Sequence, residues 1–481
     1  MERLQKIGKI VQKSSFDVKE SRLGLGFEKL DRDVFDPNKA YDKVARLGIK
    51  WVRIQSGWAK CEKQKGVYDF AWLDKIVEEL LARNLRPWLC LCYGNPLYTP
   101  LAREVFGAVG CPPVGSEEER NAWLAYVEAT VKHFSDRIGL FEIWNEPDCA
   151  YSWKHCFNEE RDMVRNSIEY GEFARDTARV IRAVAPEAKI CAIASVSISD
   201  GAYINRALAT GLADVIDYVS FHCYSPFDAS RVRTIRNLRD IIDLYNPNIK
   251  IIQGESGAQS DSRGCGAMDH YSWTRAKQTK LLLRILLQDL WAGVEFTSYF
   301  STMDMIEALN GRVGDRGSYL DYAYFGVISA DFDEEGRATG EYSEKPSYYA
   351  LATLASLFEG DARAFAFPVI RDYLPSRRVN GTDCTDDTVQ DYTFRLDNGD
   401  TALVYWNAVP ILTSTYEGTI SYSFYGQDNS CIRLVDLSTG ETYKLPESMM
   451  EDLGNGGVKL KNLPLLDSPL MILFGDKTPL C

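Results

Sequence analysis

Between about residues 22 and 359 the chain repeats one pattern eight times: a short apolar run, then a stretch of helical period. The apolar runs are Leu23 to Phe27, Lys50 to Gln55, Pro87 to Cys92, Gly139 to Trp144, Lys189 to Val196, Val215 to His222, Lys250 to Glu255 and Phe296 to Ser301. The helical stretches are Asn38 to Leu47, Ala71 to Asn84, Glu117 to Phe134, Glu169 to Val184, a segment near Ala202 to Thr210, Arg231 to Leu244, Thr274 to Trp291 and Ser347 to Phe358. Local signals support them. Ser116 followed by Glu119 is a capping-box start, and Phe173, Val180, Ile181 and Val184 fall on one helical face. Strict alternation favours an α/β fold of the (β/α)8 TIM-barrel type over an open doubly wound sheet. No GxGxxG opens any of the helices, which weakens a dinucleotide-binding reading further.

The connections are lopsided. Helix-to-strand links such as Gly48-Ile49 and Leu85-Arg86 are short, whereas the links after strands three, four, seven and eight are long. In a barrel those long links line the C-terminal face, where active sites are built. They carry Tyr93, Tyr98, Tyr151, Trp153, Tyr271, Trp273, Tyr319 and Tyr322. From about residue 360 the period changes to short alternating runs: Val389 to Leu396, Ala402 to Trp406, Thr419 to Phe424, Ile432 to Asp436 and Leu470 to Phe474. Turn signals separate them, so 360–481 reads as an all-β sandwich after a 22–359 barrel. Residues 1–21 are expected to join the sandwich or the barrel bottom, with Gly8 to Val11 and Ser15 to Val18 as the segments that could lend strands. Asp331 to Gly336 reads as a solvated hairpin turn, and Asp383 to Asp387 has carboxylates that could hold calcium but lacks the EF-hand spacing.

Composition excludes several classes. A net charge of −13 with no compensating basic stripe argues against nucleic acid or an anionic membrane as partner. No apolar run approaches a membrane span or a signal peptide, so the expected location is cytoplasmic. Among 12 Cys, Cys90, Cys92, Cys191 and Cys223 fall on buried runs, the pattern of small hydrophobes and not of a disulfide framework. The 4 His show no helical ligand spacing, so no metal is expected.

The chemistry lies at the strand ends. Phe141-Glu142-Ile143-Trp144-Asn145-Glu146-Pro147 is a strand that must stop, because Pro147 has no N–H for the ladder. Glu146 is thereby left at a strand tip. Lys250-Ile251-Ile252-Gln253-Gly254-Glu255 ends likewise on Glu255. If the barrel is right, both converge on one mouth with Arg53 of strand two and His222 and Tyr224 of strand six. Two carboxyl groups about 5–5.5 Å apart support retaining glycosidic cleavage, one attacking and the other giving and then taking a proton. Those jobs need different pKa values. Arg53 and the Tyr224 hydroxyl would keep Glu255 ionised, and Glu146 would stay protonated opposite a second negative charge. Asn145 would bond the hydroxyl beside the reacting carbon. Asn95, Trp58, Glu28 and Asp31 are further candidates for contact with a saccharide.

The Asn145-Glu146-Pro147 of strand four, Glu255 of strand seven, His222-x-Tyr224 of strand six and Arg53 of strand two resemble the clan A glycoside hydrolases. With a sandwich after the barrel, the chain looks most like the β-xylosidase/α-L-iduronidase family. The resemblance implies Glu146 as acid/base, Glu255 as nucleophile, retention of configuration and no cofactor. One departure stands out: many clan members end strand eight on a Trp, and here it reads Tyr299-Phe300-Ser301. The expected function is a retaining exo-glycosidase acting on short saccharides. The alternatives are a transglycosidase on the same site and a non-catalytic carbohydrate-binding protein; the presence of both glutamates argues against the second. The residues name neither sugar nor anomer, and call for no particular oligomeric state.

Overall fold

A computed structural model of the chain describes residues 4–154, 162–196, 198, 201–307, 321–372, 374, 377–379, 382–384 and 388–481. Tyr319 and most of the acidic 383–387 segment lie outside the described residues. A first strand, β1 (Gln5–Lys9), precedes the barrel. The barrel strands are β2 (Leu23–Gly26), β3 (Trp51–Gln55), β4 (Arg86–Leu91), β5 (Leu140–Ile143), β6 (Lys189–Ser195), β7 (Tyr218–His222), β8 (Lys250–Glu255) and β9 (Thr297–Tyr299), and they form one closed barrel. All neighbours run parallel, and β2 closes the ring against β9 through the pairs Leu23–Thr297 and Leu25–Tyr299.

The helices are α1 (Tyr41–Ala45), α2 (Trp58–Cys61), α3 (Ala71–Leu81), α4 (Glu117–Phe134), α5 (Met163–Val184), α6 (Ala202–Ala209), α7 (Arg231–Asp243), α8 (Arg275–Ala292) and α9 (Pro346–Leu357). The Ser116 side chain accepts from Glu119 N, so α4 starts where the capping pattern puts it. Its buried face carries Trp123, Tyr126, Val127 and Val131. Trp123 Nε1 donates to Thr177 Oγ1 at 2.9 Å, which is why a small hydroxyl sits amid the apolar face of α5. The α5 helix begins at Met163, earlier than its apolar period, because the Asp162 side chain caps it by accepting from Arg165 N.

Two antiparallel sheets follow the barrel. A seven-stranded sheet has the order Gln5–Lys9, Glu441–Lys444, Ile432–Asp436, Leu470–Phe474, Thr401–Asn407, Val389–Arg395, Arg363–Ala364. A four-stranded sheet has the order Val369–Arg371, Glu417–Phe424, Gly457–Leu466, Met450–Gly454. Leu403, Tyr405, Phe424, Leu460 and Ile472 share the core between them. The other face of the larger sheet, with Val404, Trp406, Met471 and Leu473, joins the core of the barrel. Strand Thr401–Asn407 is therefore buried on both faces along its whole length. The segment Ser15 to Val18 forms no strand: Ser15 Oγ donates to Arg83 O and Lys50 Nζ donates to Ser15 O, tying it beneath the barrel. Asp333 to Gly336 turns between Ile328–Phe332 and Ala338–Glu344, with Asp333 Oδ1 accepting from Glu335 N and Arg337 N.

The α8 helix is buried on nearly every side, since the larger sheet covers the face that a barrel helix ordinarily shows to water. Its Arg284 is fully buried and bridges the two parts of the chain. The guanidinium donates to the Asn407, Val409 and Asp467 carbonyls and pairs with Asp228 at 3.1 Å. Replacing it leaves a buried carboxylate and three carbonyls short of partners. We expect Arg284→Met to destabilise the chain by about 3–5 kcal/mol, read as a lower urea midpoint. An unchanged midpoint would contradict that role.

Candidate active site

Two local features aim the glutamates. After β5, Trp144 and Glu146 adopt positive φ of 67° and 49°, a conformation that turns the chain sharply before Pro147. The turn is held from both sides: Trp144 N donates to Leu91 O at 3.1 Å, and the Asp148 carboxylate accepts from Ser195 Oγ at 2.6 Å and Val196 N at 3.1 Å. At the other strand, Phe221 pairs with Gln253 but His222 pairs with Glu255, so Gly254 is one residue too many. This bulge re-aims Glu255. A Cβ at Gly254 would stand 2.5 Å from Ser220 Oγ and 2.8 Å from His222 Nε2, which explains why glycine occupies it.

The carboxyl groups meet at the mouth. One oxygen each of Glu146 and Glu255 and one ring nitrogen of His222 lie within 4.8 Å of one another. His222 Nδ1 contacts Glu146 Oε1 at 2.9 Å and stands 3.7 Å from Glu255 Oε2. Arg53 is the hub beneath them, without exposure to solvent. It donates to Glu255 Oε1, to Glu142 Oε2 at 2.7 Å, to Asn145 Oδ1 at 2.9 Å and, at 3.4 Å, to Glu28 Oε1. Tyr224 donates its hydroxyl to Glu255 Oε2 at 3.0 Å.

These contacts split the acidities. Burial alone raises the Glu255 carboxyl, but His222, Arg53 and the Tyr224 hydroxyl outweigh it and hold the group below its ordinary range. Glu146 is pushed upward, first by burial and then by the charge of Glu255, against the lowering effect of His222. His222 is itself raised, since Glu255 and Glu146 overcome the burial that would lower it. Glu28, buried and facing Glu255, is pushed up to about 8 despite Arg53.

The described residues enclose a cavity of about 110 Å³, lined by Glu28, Asn145, Glu146, Tyr224 and Glu255 among others. Arg53 and His222 lie below that lining, in contact with its carboxyl groups. Three candidates stand elsewhere. Trp58 is fully buried between Tyr98 and Tyr126, with Nε1 donating to Glu62 Oε2 at 2.6 Å. Asn95 spends its amide on backbone, donating to Glu62 O of the neighbouring loop and accepting from Leu97 N. Asp31 pairs with Arg32 at 3.2 Å and does not line the cavity. In their place the cavity takes Lys29, Arg32, Gln55, Tyr93, Phe300 and Glu307. Glu142 is a further member of the Arg53 cluster; a glutamate within the otherwise apolar run Leu140 to Ile143 was its only signal. Among the described residues, Glu146, His222 and Glu255 are the group close enough to share an ion. The Arg53 guanidinium already lies on Glu255, so a second cation there would meet like charge.

Comparison with known proteins fits this geometry. Residues 36–246 match the sequence model of the glycosyl hydrolases family 39. A β-xylosidase of Geobacillus stearothermophilus is 29% identical over 230 residues, covering 44% of this chain and 42% of that protein. The β-galactosidase BgaA of Clostridium cellulovorans is 26% identical over 168 residues, 30% of this chain and 25% of that one. The match thus spans less than half the length of these curated relatives. Among solved structures, a family 39 glycoside hydrolase of the gut symbiont Bacteroides cellulosilyticus WH2 overlays with a TM-score of 0.63 at 18% identity, over 95% of this chain and 81% of that one. A family 39 β-xylosidase of Caulobacter crescentus gives 0.55 at 17% identity, over 98% of each chain. Those two share the fold of the barrel with its β-sheets. The family 39 match holds Arg53, Asn145, Glu146, His222 and Tyr224; it begins after Glu28 and ends before Glu255.

The raised Glu28 carries a pH signature. The folded chain keeps a proton that the unfolded chain releases near 4.5. Glu28 therefore adds stability that is complete below about 4.5 and is lost as the pH rises through about 8. We expect Glu28→Gln, which cannot ionise, to gain in melting temperature relative to the parent chain across that interval. A difference that stays constant with pH would contradict the assignment.

Proposed function

We propose that the chain is a retaining exo-glycosidase that releases terminal sugars from short saccharides, with β-xylosides the first class to test. The observation that carries this reading is the approach of Glu146 and Glu255 oxygens within 4.8 Å of one another, at the ends of β5 and β8, with acidities pushed apart. Inverting enzymes keep their carboxyl groups roughly 6.5–9.5 Å apart, to leave room for a water.

In the first step a Glu255 oxygen forms a bond to the anomeric carbon while the glycosidic C–O bond breaks. The electron pair of that bond goes to the departing oxygen, which takes the proton of Glu146. In the second step water gives a proton to Glu146 and its oxygen to the anomeric carbon, and the bond to Glu255 breaks. Arg53 and Tyr224 hold Glu255 as the carboxylate it must be at the start, and His222 orients Glu146. Arg53 takes Asn145 Oδ1, which leaves the Asn145 amide hydrogens for the hydroxyl beside the reacting carbon. The small cavity, walled by loops from β2, β4, β5, β8 and β9, supports removal of one terminal sugar over cleavage within a polymer. The ten cysteines whose side chains are described are free thiols, which supports work in a reducing compartment. Among the described residues no helix is long and apolar enough to cross a membrane.

Folded Glu255→Ala is expected to lose essentially all hydrolysis and to regain turnover with added azide, which attacks in the place of the missing carboxylate. Near-normal activity without azide would sink the assignment. Glu146→Ala should cost about 10²–10⁴-fold on a disaccharide and far less on a dinitrophenyl glycoside, whose leaving group departs without a proton. Equal losses on the two would count against Glu146 as the acid. On an oligosaccharide ladder, monosaccharide should be the product from the first time point, and early mid-chain fragments would overturn exo action.

A further inference from the structure

The loop after β5 carries an aromatic ring that nothing described so far uses. Tyr151 is 42% exposed and lines the same cavity as Glu146 and Glu255. Among the described residues its ring stacks on no other ring and its hydroxyl bonds no other group. Its backbone, by contrast, is held tightly. Cys149 N donates to Glu146 O at 2.9 Å, and Ser152 N donates to Cys149 O at 3.0 Å. Trp144 Nε1 donates to Ser152 O at 2.7 Å, and Lys154 N donates to Gly110 O at 2.9 Å. Gly110, at φ +70°, lies so close that a Cβ on it would come within 1.8 Å of Tyr151 O. A ring left bare on a backbone clamped from three directions is a preorganised surface, since little further freedom is lost when something lies on it.

Position says what that something is. The acid that protonates the departing oxygen faces the leaving group, and Tyr151 follows Glu146 through one turn of the same loop. Two other large aromatic side chains on this end of the barrel are exposed, Phe227 at 63% and Tyr271 at 40%, but neither lines the cavity, and Tyr271 packs edge-on against Trp273. Of these three exposed rings, Tyr151 is the one that lines the cavity holding the two glutamates.

We propose that Tyr151 forms the leaving-group subsite, its ring stacking on the pyranose that departs in the first step. The same surface would hold a sugar acceptor in the second step, where a sugar hydroxyl, in place of water, gives its proton to Glu146 and its oxygen to the anomeric carbon. This inference rests on the two-glutamate reading above and adds that the natural leaving group is a sugar.

The test compares kcat/KM on a disaccharide with kcat/KM on the matching glycosyl fluoride, whose leaving group has no ring to stack. Tyr151→Ala should lower the disaccharide-to-fluoride ratio by about 10-fold, whereas Tyr151→Phe should hold it within about two-fold, because the face of the ring and not the hydroxyl makes the contact. With a sugar acceptor added, Tyr151→Ala should also shift the product balance from transfer toward hydrolysis. Equal losses on disaccharide and fluoride would mean a role in holding the loop, and an unchanged ratio would mean no role; either overturns the subsite. A parent chain that turns over neither substrate overturns the two-glutamate reading together with this one.

Discussion

A guanidinium cut off from water sets the terms for everything around it. Arg53 points into the barrel from β3, where solvent cannot stabilise its charge, so its donors must be met by protein. They are met by Glu28, Glu142, Asn145 and Glu255, contributed by β5, by β8 and by the segment after β2. One side chain thereby fixes the position of three strand ends. It also divides the labour among carboxyl groups that would otherwise repel one another. Glu255, on the guanidinium and the Tyr224 hydroxyl, is pushed toward the anion; Glu146, one step further away, is pushed the other way. Glu28, for which a share of the same guanidinium is too little against burial and Glu255, keeps its proton.

The rest of the architecture keeps that arrangement dry and rigid. Closure of the barrel through β2 and β9 removes any open edge at the site. The seven-stranded sheet then seals α8 from outside, and the buried Arg284 supplies polar anchorage where apolar packing alone would be indifferent to register. Two buried arginines thus do related work at different depths: Arg53 gathers carboxyl groups whose acidities differ, and Arg284 gathers backbone carbonyls.

Much of this was legible in the chain. The eightfold alternation, the strand stopped by Pro147 and the strand ended by Glu255 each follow from local rules about period and hydrogen bonding. The candidates that went elsewhere share a cause. Trp58, Asn95 and Asp31 sit on the loops of the correct face, but a loop position does not say which way its side chain points. Trp58 was drawn into an aromatic cluster with Tyr98 and Tyr126, Asn95 onto the Glu62 carbonyl of the neighbouring loop, and Asp31 onto Arg32. Glu142 went unremarked for the opposite reason: on a strand that reads as buried, a lone glutamate makes sense only once its partner across the barrel is known.

The sequence by itself determined the order of elements and the strand ends on which Glu146 and Glu255 fall, because each depends on residues adjacent along the chain. The tertiary structure alone decided how close Glu146 and Glu255 come, which carboxyl groups Arg53 reaches, that Gly254 forms the bulge aiming Glu255, and that Tyr151 is left bare beside Glu146. Those are distances between residues far apart in the chain, and they are set by barrel closure and packing, which no local pattern encodes.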